Sequence, residues 1–183
     1  MTLDGSTDAA AAVDAALAAE AERAAALKDV FRLHPAGVTL ITASTPRGPV
    51  GLTASSVASV ALDPPTVSFS VTRATGSAGG LLSADTMLVH FLADRHADLA
   101  RAFAHSGAPR FTPEQGWTSL ATSEPLLPDA RAAFRCRALH VVAVGSSSLV
   151  VAEVLDVLPG EAGDPLLYHD RRFHAFDHDA PDL

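Results

Sequence analysis

Between Thr66 and Thr72 apolar and polar side chains alternate without a break, with Val67, Phe69 and Val71 on one face and Thr66, Ser68, Ser70 and Thr72 on the other. A period of two predicts a strand with one buried face. Just upstream, Gly51-Leu-Thr-Ala-Ser-Ser-Val-Ala-Ser-Val60 is a run of small, hydroxyl-bearing residues closed by Leu62-Asp-Pro-Pro65, and Asp63-Pro64-Pro65 predicts a rigid turn that ends one strand and starts the next. Short polar side chains let a bulky ligand approach the backbone, whose N–H and C=O groups can then read it. A polar strand face lying in water is the alternative, and these residues alone do not separate the two.

The same pattern continues along the chain. Val38-Thr-Leu-Ile-Thr-Ala-Ser44 predicts a strand and Thr45-Pro-Arg-Gly-Pro49 a turn; Thr86–Ala93, Phe134–Val144, Leu149–Leu158, Leu166–His169 and Arg172–Phe176 predict further strands. Gly145-Ser-Ser-Ser148 predicts a hairpin between the two longest. Asp94 is placed to cap a helix through about Ala104, because Leu99 and Phe103 fall on one face. Residues 8–29 are Ala-rich and strongly helix-forming, but Val13, Leu17, Leu27 and Val30 give only a thin apolar stripe. The division expected is an N-terminal helix or extension over residues 1–30, a β-rich domain over 31–176 and a short tail over 177–183. Strands outnumber helices and no βαβ rhythm is present, which predicts a mainly β fold with peripheral helices, an antiparallel barrel that removes its edges by closing on itself.

Composition narrows the function classes. With 183 residues the chain suits one domain able to bury a core without staples. A net charge of -8 and the lack of a basic cluster argue against nucleic acid as a partner. No stretch approaches the roughly 20 apolar residues of a membrane helix, and the start lacks a signal peptide's basic and apolar regions, so a soluble, cytoplasmic protein without a membrane partner is expected. Cys136 is the lone cysteine, so no intrachain disulfide forms; Arg135 and Arg137 beside it admit a reactive thiol, although a buried structural Cys is the simpler reading. His169, His174 and His178 with Asp170 and Asp177 match no strong zinc spacing, and no metal is expected. Neither a dinucleotide fingerprint nor a P-loop is present around Gly48, Gly51 or Gly76–Gly80.

Four segments taken in register, Phe31-Arg-Leu-His-Pro-Ala-Gly-Val38, Gly48-Pro-Val-Gly-Leu-Thr-Ala-Ser-Ser56, Ser59-Val-Ala-Leu-Asp-Pro-Pro65 and Val67-Ser-Phe-Ser-Val71, resemble the flavin reductase-like family. Asp98-Leu-Ala-Arg-Ala-Phe103, Arg110-Phe111 and Leu166-Leu-Tyr-His-Asp-Arg-Arg-Phe-His174 extend the resemblance. It implies an antiparallel Greek-key split β-barrel, homodimeric, that oxidises NADH or NADPH, reduces FMN or FAD and hands reduced flavin to a separate flavin-dependent monooxygenase. Flavin contacts are implied for Thr53, Ala54, Ser55 and Ser56, then for Ser70, Val71 and Thr72. Arg73, Thr75 and Ser77 supply a cation, hydroxyls and a helix start ahead of Leu81-Leu82, the chemistry a phosphate needs. Arg73 as a solvated charge and Phe111 as a plain core ring are the alternatives to flavin contact.

Hydride transfer between nicotinamide and flavin needs positioning rather than a protein nucleophile, so no residue is expected to be indispensable to the chemistry. Where the family often carries a His in a Gly-Asp-His hairpin, this chain has Gly145-Ser146-Ser147. Ser147 therefore stands at the expected nicotinamide site, with Tyr168 and His174 as further candidates. A flavin carrier without efficient NAD(P)H oxidation, and a split-barrel oxidase or oxygenase acting directly on a substrate, are the competing readings. His90 stands where the family commonly has Asn.

Overall fold

The computed structural model describes residues 5–73 and 75–176, so the 177–183 tail, with Asp177 and His178, lies outside the described residues. The chain divides into two compact units, one running to Pro35 and including His169–Arg171, the other holding Ala36–Tyr168 and the chain from Arg172 onward.

The first unit is dominated by α1 (Gly5–Arg32), three residues longer at its C-terminal end than the Ala-rich pattern predicts. Leu33 and His34 close its last turn by donating to the Val30 and Phe31 carbonyls at 3.1 and 3.3 Å. Arg32 accepts from the Asp170 N–H at 2.8 Å through its carbonyl and meets the Asp170 carboxylate at 3.4 Å through its guanidinium.

Among the described residues the second unit contains every strand residue but His169. In chain order these are β1 (Ala36–Gly37), β2 (Thr39–Thr45), β3 (Gly48–Ala54), β4 (Ala58–Leu62), β5 (Pro65–Thr72), β6 (Met87–Phe91), β7 (Thr118–Ser119), β8 (Pro125–Leu126), β9 (Ala132–Val144), β10 (Ser147–Pro159), β11 (Leu167–His169) and β12 (Arg172–His174), with α2 (Gly76–Leu82) and α3 (Ala97–Ala104) between them. Seven strands form one antiparallel sheet in the order β3-β2-β6-β9-β10-β5-β4. A flat sheet would hold β3 and β5 about 24 Å apart at ~4.8 Å per strand. Here their Cα atoms come within 8 Å, so the sheet curls into a barrel. No ladder joins β3 to β4, however, and the expected closure without edges is not reached: the barrel is open between them.

The predicted alternation on β5 puts Val67, Phe69 and Val71 in the interior with Ile41, Val89 and Val150, while Ser70 and Thr72 face out. Thr66 departs from it, being buried and donating to the Pro64 carbonyl at 2.8 Å. β2 is buried on both faces. Ile41 and Ala43 enter the barrel, whereas Leu40 packs outside with Phe103, Leu92, Leu127 and Leu166. Each such side chain removed from water contributes roughly 1.5–3 kcal/mol. The second cluster therefore fastens α3 to the barrel wall.

Asp94 does not cap α3. It opens a single 3-10 turn (Asp94–His96), where its carboxylate accepts from the Arg95 N–H at 2.7 Å, and α3 starts at Ala97. The Asp63–Pro64 bond in the β4–β5 turn is cis. Cys136 is fully buried on β9, and burial pushes its thiol up to about 12, so it is a structural residue and not a thiolate nucleophile.

Two buried polar groups lock the connection from β6 to β9. His90 on β6 donates from Nδ1 to the Leu40 carbonyl at 3.0 Å and accepts from the Leu127 N–H at Nε2, 3.2 Å, so the ring is neutral and its tautomer is set by its partners. Burial lowers its pKa to about 4, with the Leu40 bond opposing and the nearby His96 adding. Glu124 is 1% exposed, and its Oε1 accepts from Thr86 at 2.5 Å and from Arg135 Nε at 2.7 Å. Burial pushes that carboxyl up, but the bonds from Thr122, Thr86 and Arg135 outweigh it and hold it at about 2.

Candidate functional site

β5 carries the first part of the site and ends in an unusual turn. Ser70 and Thr72 face outward, and Thr72 pairs across to Ser147 on β10. Arg73 then adopts a left-handed backbone, φ 57°, while its N–H donates to the Ser146 carbonyl at 2.8 Å. Non-glycine residues in that region carry about 1–3 kcal/mol of strain and concentrate at binding sites. The β9–β10 turn is thus tied to the end of β5, which brings Ser147 beside Thr72 and Arg73.

Thr75 and Gly76 redirect the chain into α2. Thr75 occupies the N-cap but makes no side-chain cap bond, and no acidic residue follows in the first turn. The first N–H groups of the helix accordingly have no intrahelical acceptor. Ser77 stands among them and accepts a 2.9 Å bond from Arg110 Nη1, which leaves its own proton to donate outward.

Arg110 is the residue sequence reasoning undervalued. Its Nη1 also donates to the Gly51 carbonyl at 3.0 Å, and Nη2 to the His105 carbonyl at 2.7 Å; the guanidinium lies over Phe103 with 5.4 Å to the ring centroid. The buried Nε has no partner. A guanidinium beside a serine hydroxyl and open helix N–H groups is a donor set that fits a phosphate monoester. Its signal in the sequence is Arg110-Phe111 itself, yet nothing there shows that the side chain reaches Ser77.

The remaining candidates divide. Ser55 and Ser56 are exposed in the link between β3 and β4, at the open edge of the barrel. Ser56 Oγ accepts from the Ser70 N–H at 2.9 Å and donates to the Ser70 carbonyl at 3.4 Å, so it continues the β4–β5 ladder by side chain. Ala54 and Val71 point into the barrel core and offer a ligand only their backbone. Thr53 spends its hydroxyl on the Ala100 carbonyl of α3 at 2.6 Å. Phe111, with φ 55°, packs edge-on to Phe103 with centroids 5.0 Å apart and tilts against Trp117, also at 5.0 Å. Only its partly exposed face remains for a ligand. Tyr168 and His174 belong to the separate sheet β1-β11-β12, where Tyr168 leans on Phe173 and Arg101 covers Phe173. Among the described residues no group of three or more His, Cys, Asp or Glu gathers as a metal site.

The open antiparallel barrel thus gathers donors that fit a phosphate at Ser77 and Arg110, beside the outward hydroxyls of β5. The chain belongs to the flavin reductase family, since residues 31–177 match the flavin reductase like domain. It is 38% identical over 148 residues to the NADH:FMN oxidoreductase of Rhodococcus qingshengii, covering 79% of this chain and 77% of that protein. The NADH:FAD oxidoreductase SgcE6 of Streptomyces globisporus, solved with NAD and FAD fragments, superposes with a TM-score of 0.77 at 29% identity, covering 85% of this chain and 93% of that one. The styrene monooxygenase flavin reductase of Pseudomonas putida S12 gives a TM-score of 0.71 at 28% identity, over 82% of this chain and 97% of its own.

Proposed function

We propose that this enzyme is an NAD(P)H:flavin oxidoreductase that reduces FMN or FAD and releases the reduced flavin to a separate monooxygenase. The observation that carries the reading is the Arg110–Ser77 pair beside the open start of α2, in a chain of the flavin reductase family. A flavin held here would supply the acceptor for the hydride of a reduced nicotinamide.

The chain's own residues position and shield. Arg110, Ser77 and the first N–H groups of α2 hold the phosphate, with Arg73 and Thr75 at the mouth of the same turn. Ser55, Ser70 and Thr72 offer short side chains and backbone groups along the ring, and Phe111 covers one side of it. Ser147, in register with Thr72, lines the nicotinamide side, where a neutral hydroxyl orients by hydrogen bonding and carries no charge at any working pH. No side chain there has to accept the transferred hydride. The protein's part in the rate would be to hold the two rings against each other and to exclude water.

A homodimer completes the picture. Leu139, Val141, Val142, Val144 and Leu149 stand 41 to 62% exposed on β9 and β10, with Val60 and Leu62 also exposed on β4. An apolar face of that extent suits a second copy of the chain. No described helix is long and apolar enough to cross a membrane, and the one cysteine is free, which suits a cytoplasmic enzyme.

The test mixes purified protein with NADH and either flavin, and follows loss of nicotinamide absorbance. Turnover that depends on added flavin supports the reductase. Flavin binding without oxidation selects a carrier, and oxygen uptake that depends on another substrate, without a partner, selects an oxidase.

A further inference from the structure

The large apolar side chains of α1 stand in water: Val13, Leu17, Leu27 and Phe31 are 58, 59, 60 and 64% exposed, and Val30 is more exposed still. A stripe like this on a 28-residue helix calls for a covering partner. Its spacing says what kind. Ala10, Leu17, Ala24 and Phe31 fall at successive a positions of a heptad and Val13, Glu20 and Leu27 at successive d positions. A sustained repeat of 3.5 residues matches another helix that supercoils with it, rather than a flat protein surface.

Charge selects the partner and its direction. Asp14, Glu20 and Glu22 occupy the N-terminal side of the stripe, whereas Arg23, Lys28 and Arg32 occupy the C-terminal side, with Asp29 the exception. A helix acidic towards one end and basic towards the other is complementary to itself when reversed. A parallel pair would instead bury Glu20 against Glu20 of the second copy.

We propose that α1 pairs with α1 of a second copy of this chain as an antiparallel two-stranded coiled coil, with Leu17 facing Leu27 and Val13 facing Phe31 of that copy. This register sets the four large residues of the a and d positions against one another. Asp14 then meets Lys28 of the second copy at flanking e positions, and Glu20 lies over the small Ala24 with Arg23 of the second copy close by. Sliding one heptad sets Leu17 on Glu20 and Leu27 on Ala10, losing both the packing and the charge match. The contact is separate from the β9–β10 face invoked above, and it depends on neither the flavin site nor the reductase reading.

Crosslinking of the full chain tests it directly. Two exposed positions take cysteine, Leu17→Cys in one preparation and Leu27→Cys in another; Cys136 is buried and does not compete. A bis-maleimide spanning one layer, about 8–10 Å, is added to each preparation and to their mixture. A linked dimer is expected in the mixture and in neither preparation alone, because identical positions lie ten residues apart along the axis, about 15 Å. Linkage of Leu17→Cys to itself, or no linkage in any tube, overturns the proposal; the second result includes the case in which an oxygenase or another part of the protein covers the stripe. In the same assay at low salt, Asp14→Lys in both preparations lowers the yield several-fold, and adding Lys28→Asp restores it. Failure of the double swap to restore linkage overturns the assigned register. Normal circular dichroism of each variant establishes that the helix still forms.

Discussion

β5 and the segment from His105 to Glu124 both bear on the candidate site, but they are built by opposite means. β5 repeats one rule along its length, and Val67, Phe69 and Val71 share the burial among many neighbours. The other segment has little regular structure; Phe111 and Trp117 pack on Phe103, and the rest of its hold is single polar bonds: Arg110 to Gly51, Ser77 and His105, Gln115 to the Thr112 N–H and the Trp117 ring, Glu124 to Thr86 and Arg135. Packing spreads a loss over many contacts, while a polar bond concentrates it in one group. Polar substitutions from His105 to Glu124 should therefore cost more than polar substitutions on the outward face of β5.

The largest effect is expected at Glu124. Glu124→Ala strands the Arg135 guanidinium and the Thr86 hydroxyl near the base of β9 and should lower stability by about 3 kcal/mol. Urea unfolding measures it, and a midpoint within error of the parent would show that the network does not hold the segment. Ser70→Ala on β5 is the matched control, expected within about 0.5 kcal/mol.

Acid should probe the same region almost as strongly. His90 is neutral when folded and its pKa is held at about 4, so between pH 6.5 and 4 the unfolded chain binds the proton that the folded chain refuses. Stability therefore falls as pH drops through that window, by about 3 kcal/mol at 1.36 kcal/mol per unit. Glu124 works in the same direction lower down: its carboxyl is held at about 2 against an ordinary 4.5, so its contribution is lost as pH falls below 4.5 towards 2. His90→Asn should flatten the upper part of the stability profile and leave the lower part. An unchanged slope above pH 4.5 would mean that another group carries the upper window.

Arg110→Met comes third, on binding rather than stability. Removing a charged donor from a phosphate should raise the Kd for FMN by about 10–100-fold, while turnover at saturating flavin stays within a few-fold. Titration of flavin fluorescence against the variant decides it. An unaltered Kd would move the phosphate away from Ser77 and leave Arg73 as its cation.

What could be read in advance follows the same division. The strands of the barrel were legible because alternation is a local signal, and the Gly145 turn because a two-residue hairpin has a local signature. β3 was hidden, since Gly48 and Pro49 read as a turn and Gly51 as the start of a run of small residues; Gly51 is needed there because a Cβ would meet Phe103 at 2.8 Å. The link between Arg110 and Ser77 spans 33 residues, and that between Arg135 and Glu124 joins a strand to a loop residue whose neighbour Ser123 has φ 76°. Long-range polar pairs leave no period in a sequence. Ala54 and Val71 turn their side chains into the barrel core, for membership of a matching segment says nothing about which way each side chain points.

Apart from the Ser70 control, the smallest effect is expected at Ser56, where the two kinds of construction meet. Its hydroxyl takes the Ser70 N–H that a longer β4 would have taken, so it serves the strand before it serves a ligand. Ser56→Ala should cost at most about 1 kcal/mol, because water can replace the lost acceptor at an exposed site. Amide exchange at Ser70 should nevertheless quicken, and hydrogen-exchange measurements on the flavin-free protein read that without reference to binding. Ser55 makes no such bond, so a bulky side chain there should weaken flavin binding while Ser70 exchange stays as it was. If Ser56→Ala instead lowered flavin affinity and left Ser70 exchange untouched, the hydroxyl would belong to the ligand, and the open edge of the barrel would be completed only when the nucleotide is bound.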